Sequence, residues 1–415
     1  MAMKRVVITG VGAVSPLGIG TDRLFQGLVE DRSAVVNQRQ EWQQEVSDLT
    51  SWVGAPLTEP LDPNRIPRKH RRFMGRVAAM AYVASLESLD KARVPEEMLA
   101  SGRAGISFAS TMGSVGALDR FFRTCFEERE IGRLPAGIFF RCMSHTCAAN
   151  LAHALGITGR VLSPNAACAS SLQAIMCGAE AIKNGKQDVM LCGGADELHV
   201  TVVSSFDMVR AASSHFNDRP QDTPRPFDEE RDGIVCGEGA GALVLESEQS
   251  ALAREAEILA EITGWSTNTG GTHMAQPHTE SMTDCLRAAL HAADLSPDAI
   301  DYVNAHATGT LQGDQAEAEA LEAVFGEKGV PVSSFKGHLG HTLGASGALE
   351  LIACLLMQKL RYLIPTRNLK TPGAGCGGLD HVTTLRPAEF DRFVKSSFAF
   401  GGIGSVLVLQ RYRHG

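Results

Sequence analysis

The sequence has no run of about 18 uninterrupted apolar residues, which excludes a simple membrane span. Residues 1–12 carry one lysine and one arginine followed directly by Val6-Val7-Ile8-Thr9, without the long apolar core of an export signal. The 10 cysteines are scattered and form no Cys-x-x-Cys pair, so zinc ribbons and disulfide scaffolds are not expected. Reduced thiols and a cytoplasmic location are expected instead. There is no excess of positive charge: 39 basic against 47 acidic residues leave a net charge of -8, which argues against nucleic acid as a general partner. What is present is 44% hydrophobic residues, 42 glycines and 415 residues in all, enough for an α/β enzyme of two domains or two fused halves.

Strands and helices alternate along the chain. Strands are expected at 5–12, 104–110, 188–192 and 240–246, and helices at 22–30, 68–93, 115–130, 168–184, 200–212 and 249–257. Residues 38–67, polar and proline-bearing, read as a surface excursion. The order then restarts, with strands at 260–265, 302–305, 332–335, near 381–385, at 397–400 and at 405–409, and helices at 279–293, 316–325 and 342–360. Residues 237–245 (GEGAGALVL) echo 401–409 (GGIGSVLVL), which suggests equivalent halves, 1–257 and 258–415. Such alternation implies parallel-rich sheets covered by helices.

Three stretches carry chemistry. In Ser163-Pro164-Asn165-Ala166-Ala167-Cys168-Ala169-Ser170, small residues surround a cysteine where a helical pattern begins. A helix N-terminus favours the thiolate, the nucleophilic form. Val303-Asn304-Ala305-His306-Ala307-Thr308 and Val332-Ser333-Ser334-Phe335-Lys336-Gly337-His338-Leu339-Gly340-His341 are apolar strands that give way to histidines. Strand C-termini are where open α/β sheets hold ligands. Asp314 and Glu317 have the spacing of a capping box. Arg65, Arg68, Lys69, Arg71, Arg72 and Arg76 form a basic run with no acid in it, suited to an acidic macromolecule.

With these motifs the chain resembles the β-ketoacyl-[acyl carrier protein] synthases, thiolase-superfamily condensing enzymes, close to the type II elongating ketosynthases of bacteria. The resemblance spans the whole chain and includes Phe398-Ala399-Phe400-Gly401-Gly402 and Pro226-Phe227-Asp228-Glu229-Glu230-Arg231-Asp232-Gly233. It implies a thiolase-like α-β-α-β-α fold of duplicated halves. It also implies a decarboxylative Claisen condensation of malonyl carrier protein with an acyl group held as a thioester on Cys168. His306, His341 and Lys336 would complete the catalytic set, and the backbone N–H groups of Cys168 and Phe400 the oxyanion hole.

By the same resemblance, Thr308 and Thr310 bind pantetheine, Phe398, Phe400, Gly401 and Gly402 form the gate, and Met112 and Phe206 wall the acyl pocket. Glu317 pairs with Lys336, with Asp314 and Glu350 in support. Arg68, Lys69, Arg72 and Arg210 dock the acyl carrier protein. No bound cofactor or catalytic metal is implied, since substrates arrive on the carrier's phosphopantetheine. The assembly implied is a homodimer, or a heterodimer with a chain-length-factor-like subunit.

Several residues depart from the family pattern. Ala307 and Ala399 replace glycines, Ile403 follows the glycine pair, and residues 273–277 (HMAQP) are similar to ketosynthases of specialised pathways such as aryl polyene clusters. Lys395 stands where relatives carry a small residue, near Asn304 and Glu350, whose counterparts can hold a monovalent cation; its ammonium is expected to replace that ion. A thiolase would need a second cysteine in a C-terminal Cys-x-Gly, and no cysteine follows Cys376. A non-catalytic partner subunit or scaffold would be expected to lack Cys168.

Overall fold

A computed structural model describes residues 3–413. The first apolar segment runs as β1 (Val6–Ser15) through the centre of the molecule, every residue buried. Helices α1 (Arg68–Arg71) and α2 (Arg76–Ala92) follow, then β2 (Ala104–Ala109), α3 (Val115–Arg123), α4 (Thr146–Leu155) and β3 (Val161–Leu162). The N-terminal part closes with α5 (Ser170–Lys183), β4 (Val189–Asp196), α6 (Val200–Met208) and β5 (Gly239–Ser247). The second set is β6 (Ala260–Thr269), α7 (Thr279–Ala292), β7 (Tyr302–Asn304), α8 (Leu311–Phe325), β8 (Pro331–Ser333), α9 (Ser346–Leu360), β9 (Asp380–His381), β10 (Arg392–Ala399) and β11 (Ile403–Arg411).

These strands build one sheet in the order β9-β8-β7-β10-β11-β6-β1-β5-β4-β2-β3. Its ends are parallel and its centre antiparallel. Read outward from the middle, β1-β5-β4-β2-β3 is matched by β6-β11-β10-β7-β8. The two sets meet where Val6, Val7 and Ile8 pair with Ile262, Glu261 and Ala260. The echo between residues 237–245 and 401–409 therefore falls on equivalent strands, β5 and β11.

Helices α5 and α9 pack between the two halves of the sheet, with α2 and α4 outside one half and α7 and α8 outside the other. This gives the five layers of a thiolase-like fold. Close packing is required on both outer faces: a Cβ at Gly10 would lie 2.2 Å from the Ser88 carbonyl on α2, and one at Gly264 2.5 Å from the Ala289 carbonyl on α7. Residues 343–360 are long and apolar enough to cross a bilayer, but 83% of that window is buried between sheets, as an all-round apolar core helix requires.

The inner helices start alike. Each follows a single 3-10 turn, Ala167–Ala169 before α5 and Leu343–Ala345 before α9, and each turn opens with a left-handed residue, Ala167 (φ 48°) and Leu343 (φ 52°).

Local differences from expectation have tertiary causes. The helix expected at 68–93 breaks at Gly75, where a Cβ would meet Ser114 Oγ at 2.0 Å. The 38–67 excursion is not wholly superficial, because Trp42, Leu49 and Trp52 bury themselves with Val200, Val203 and Ile234. Helix α8 begins at Leu311, earlier than expected, and α6 stops at Met208.

Candidate active site

The reactive side chains come from loops at the C-terminal ends of β7, β8 and β10 and from the turn that starts α5. That turn is pinned from both sides. Ser170 Oγ accepts from Ala166 N (2.9 Å) and donates to Ala167 O (2.6 Å), while Thr111 Oγ1 also donates to Ala167 O (3.2 Å). Asp196, at the end of β4, accepts from Ser110 Oγ (2.6 Å), Thr111 N (3.0 Å) and Gly344 N (2.7 Å), tying the Cys168 turn's neighbours to its twin. Asp196 was missed in the sequence, although a lone carboxylate closing a buried strand is the signal that could have found it.

Two carboxylates on α8 shape the loop after β7. Glu317 accepts from His306 N (2.8 Å) and Ala307 N (2.7 Å), and also from Ser396 Oγ (2.8 Å). Asp314 takes the N–H groups of Thr308 (3.0 Å), Gly309 (3.1 Å), Thr310 (3.2 Å) and Phe227 (2.8 Å). Both therefore hold the loop, Asp314 taking in the N–H of Thr310 just before its own helix, and the two do not form a capping box with each other. Burial pushes the Asp314 carboxyl up to about 7 against these donors.

The expected pairing of Lys336 with Glu317 is not formed, because the oxygens of Glu317 are already occupied by the loop. Lys336 Nζ instead donates to His306 O (2.9 Å) and to Glu350 Oε1 (2.5 Å), and Lys395 Nζ lies 2.6 Å from Glu350 Oε2. All three groups are buried. Burial would raise the Glu350 carboxyl, but the two ammonium groups hold it below its ordinary value.

Cys168 Sγ and a nitrogen of each of His306 and His341 lie within 4.8 Å of one another, and the two rings stand edge to face with centroids 5.2 Å apart. Among the described residues, neither ring nitrogen of His341 nor Nδ1 of His306 has a hydrogen-bond partner. Burial, then Lys336 and Lys395, hold both imidazoles well below their ordinary range, and they are neutral. One cysteine and two histidines are also a zinc-type donor set. With two ammonium groups lowering both imidazoles, however, the site suits developing negative charge better than a cation.

Cys168 departs from expectation. Burial pushes its thiol up to about 12, with Lys336 pulling the other way, so it rests protonated and not as a helix-stabilised thiolate. Desolvation outweighs the pull of the Lys336 ammonium. Attack by sulfur must pass its proton to a base, and the unpartnered neutral imidazoles are within reach.

A cavity of about 500 Å³ runs from Cys168, His306 and His341 past Thr308, Thr310, Phe398, Phe400 and Gly402 to a mouth at Arg210, Met274 and Leu311. Thr308 Oγ1 donates to Thr310 Oγ1 (3.3 Å). Gly401 (φ 87°) and Gly402 (φ 71°) make the turn beside Phe400. That turn is held by the 270–278 loop, through Gly401 N to Met274 O (2.7 Å) and Gly270 N to Gly402 O (2.8 Å). In the sequence this loop had registered only as a likeness to specialised pathways.

Met112 and Phe206 do not line the cavity. The Phe206 ring packs against Phe400 (centroids 6.1 Å) and so lies behind that ring, while Met112 is 44% exposed. Arg68 and Lys69 are exposed on α1, the Arg72 guanidinium lies over Phe73 (4.4 Å), and Arg76 is committed to Glu238 (2.7 Å).

The family model described as beta-ketoacyl synthase, N-terminal domain, matches residues 3–251, and the corresponding C-terminal domain matches residues 259–370. The 3-oxoacyl-[acyl-carrier-protein] synthase 1 of Haemophilus influenzae is 33% identical over 412 residues, covering 99% of this chain and 100% of the relative. A beta-ketoacyl synthase from Burkholderia phymatum superposes with a TM-score of 0.95 at 41% identity, over 99% of this chain and 100% of that one. The AntDE ketosynthase, solved with its type II polyketide acyl-carrier protein AntF and bound to the hexaketide, gives a TM-score of 0.89 at 28% identity, over 99% and 100% of the two chains. The site's cysteine and paired neutral histidines thus sit in a chain that belongs to the beta-ketoacyl synthase family, the acyltransferases that condense acyl groups in fatty-acid and polyketide synthesis.

Proposed function

We propose that Cys168 takes an acyl group from a carrier protein's phosphopantetheine thioester and that the His306–His341 pair drives condensation with malonyl carrier protein. The carrying observation is the meeting of one buried thiol and two neutral imidazoles within 4.8 Å at the closed end of a cavity. As Sγ bonds to the acyl carbon, the thiol proton passes to an imidazole and from there to the departing pantetheine sulfur. Backbone N–H groups of Cys168 and Phe400 hold the tetrahedral oxyanion.

The malonyl thioester then loses carbon dioxide. The N–H groups of His306 and His341 hold the enolate oxygen, and the carbanion attacks the acyl-cysteine carbonyl. The new carbon–carbon bond forms as the carbon–sulfur bond breaks, and the Cys168 sulfur takes up one proton from solvent, the proton that the overall reaction consumes. Thr308 and Thr310 hold the pantetheine amides along the cavity wall, and Phe398, Phe400, Gly401 and Gly402 gate the acyl chain. No bound cofactor enters this scheme.

Carrier docking is assigned to Arg68, Lys69, Arg72 and Arg210, which offer exposed positive charge on an acidic protein. AntDE, solved with its carrier protein, supports this reading. Arg68→Glu with Lys69→Glu is expected to raise KM for carrier-borne substrates about 10-fold and to flatten the salt dependence, since rim charges act through encounter. Steady-state rates with carrier-borne and small pantetheine thioesters, side by side, check it; an equal loss on both would assign the pair to folding.

Phe122, Phe126, Ile131 and Phe139 are exposed apolar residues and β3 is an edge strand, surfaces suited to a second copy of the chain. Light scattering distinguishes this homodimer from a monomer that requires a chain-length-factor-like partner. The 10 cysteines, all free, fit the reducing cytoplasm.

Mass spectrometry tests the whole reading. After incubation with a panel of acyl carrier proteins, an acyl group is expected on Cys168 and is expected to leave as a 3-oxoacyl carrier when malonyl carrier protein is added. An unmodified Cys168 throughout the panel, despite product formation, would overturn the scheme. The specialised-pathway reading is favoured by Ala399 and Ile403 at the gate and by the hexaketide-bound relative. It predicts retention of polyunsaturated or polyketide chains.

A further inference from the structure

We propose that Lys395 is a built-in counter-ion: its ammonium fills the place that an Asn–Glu pair offers to a monovalent cation, making the chemistry at Cys168 independent of such ions. The inference rests on the proposed site and concerns its charge balance.

The oxygens that would receive a cation are Glu350 Oε2, the Ala305 carbonyl and Asn304 Oδ1. Lys395 Nζ lies 2.6 Å from the first and 3.5 Å from the second. Asn304 sits directly opposite Lys395 in the parallel pairing of β7 with β10, on the same face of the sheet, and its Oδ1 is buried without a partner among the described residues. Lys395 is fully buried, in register with a strand on either side. The other carboxylate oxygen of Glu350 is taken by Lys336. A further cation would face two fixed ammonium groups with only one carboxylate to offset them, so the residues present do not fit the ion.

The charge also reaches the histidines. The charged groups around them are Lys336 from the turn after β8, Lys395 from β10, Glu350 from α9, Glu317 and Asp314 from α8, and Asp196 from β4. Among these, Lys336 and Lys395 act to keep both rings neutral. Lys395 touches no reacting atom and is a positioning residue.

Crystals of the wild-type protein soaked in rubidium chloride are expected to show no anomalous peak between Asn304 and Glu350, and malonyl carrier decarboxylation is expected to run equally fast, within about twofold, in choline, sodium or potassium chloride. Lys395→Ser opens room for an ion. It is expected to lose about 10-fold in choline, to recover in potassium and to show the rubidium peak. Lys395→Met, which leaves no oxygen-lined space, is expected to stay slow in every salt, with the acid limb of its pH profile moved upward because the histidines lose a neighbouring positive charge.

A rubidium peak beside Glu350 in the wild type with Lys395 turned away, or a wild-type rate that follows the choice of cation, would overturn the proposal. The wild-type measurements decide it even if the variants fail to fold. Absence of decarboxylation in the wild type would count against the proposed function and leave the rubidium result standing.

Discussion

Cys168→Gln is expected to lower condensation by at least about 10⁴-fold while malonyl carrier protein is still decarboxylated, because the two half-reactions use different groups. Acyl transfer needs the sulfur. Decarboxylation needs only the imidazoles that receive the enolate, and an uncharged amide beside them offers a polar surface in place of the acyl thioester. Both are read in one experiment, with carbon dioxide release and 3-oxoacyl product followed separately. Condensation at a normal rate by Cys168→Ala would remove the thioester from the mechanism. The same residue carries a reactivity test. With its thiol pushed up to about 12, alkylation by iodoacetamide should keep accelerating between pH 8 and 10 and not level off near the ordinary thiol value of about 8.5.

Loss of either imidazole should be nearly as severe. His306→Ala and His341→Ala are each expected to slow decarboxylation by about 10²- to 10³-fold, the usual effect of removing one donor from an oxyanion site. The pH profile gives the sign of the electrostatics. Both histidines lie well below their ordinary value through burial and the nearby ammonium groups, so they remain neutral as pH falls through 6.5, and the acid limb should lie below that point. Lys336→Met removes the strongest positive neighbour. The rings then bind protons more readily and the limb moves to higher pH. A limb at or above pH 6.5 in the wild type would mean that the positive charges do not act on the pair.

The side chains that meet at Cys168 were legible because they stand in short runs of small residues at the ends of apolar strands, and the order of strands and helices placed those ends together. The partner of Lys336 was not. Glu317 and Glu350 lie on different helices, α8 and α9, and which one meets the lysine depends on how many loop N–H groups each carboxylate already accepts. The protonation of Cys168 was misjudged for a related reason: a helix terminus is visible in local pattern, whereas desolvation sums over every chain segment packed around the sulfur. The need for glycine at position 75, where the expected helix is interrupted, likewise comes from Ser114, far along the chain. Phe206 illustrates a further limit, since one ring, Phe400, packs against it and comes between it and the cavity.

The twin turns before α5 and α9 bear on kinetics. The position that mirrors Cys168 is Gly344, and a side chain there would meet Asp196 Oδ2 at 2.6 Å and Thr111 Oγ1 at 2.8 Å. Only one of the two turns can host a nucleophile. In the proposed scheme one sulfur holds the acyl group, and the first carrier has to depart, unloaded, before the malonyl carrier is admitted to the same cavity. Initial rates should trace parallel lines in double-reciprocal plots, and the unloaded carrier protein should act as a competitor for the docking surface at both stages.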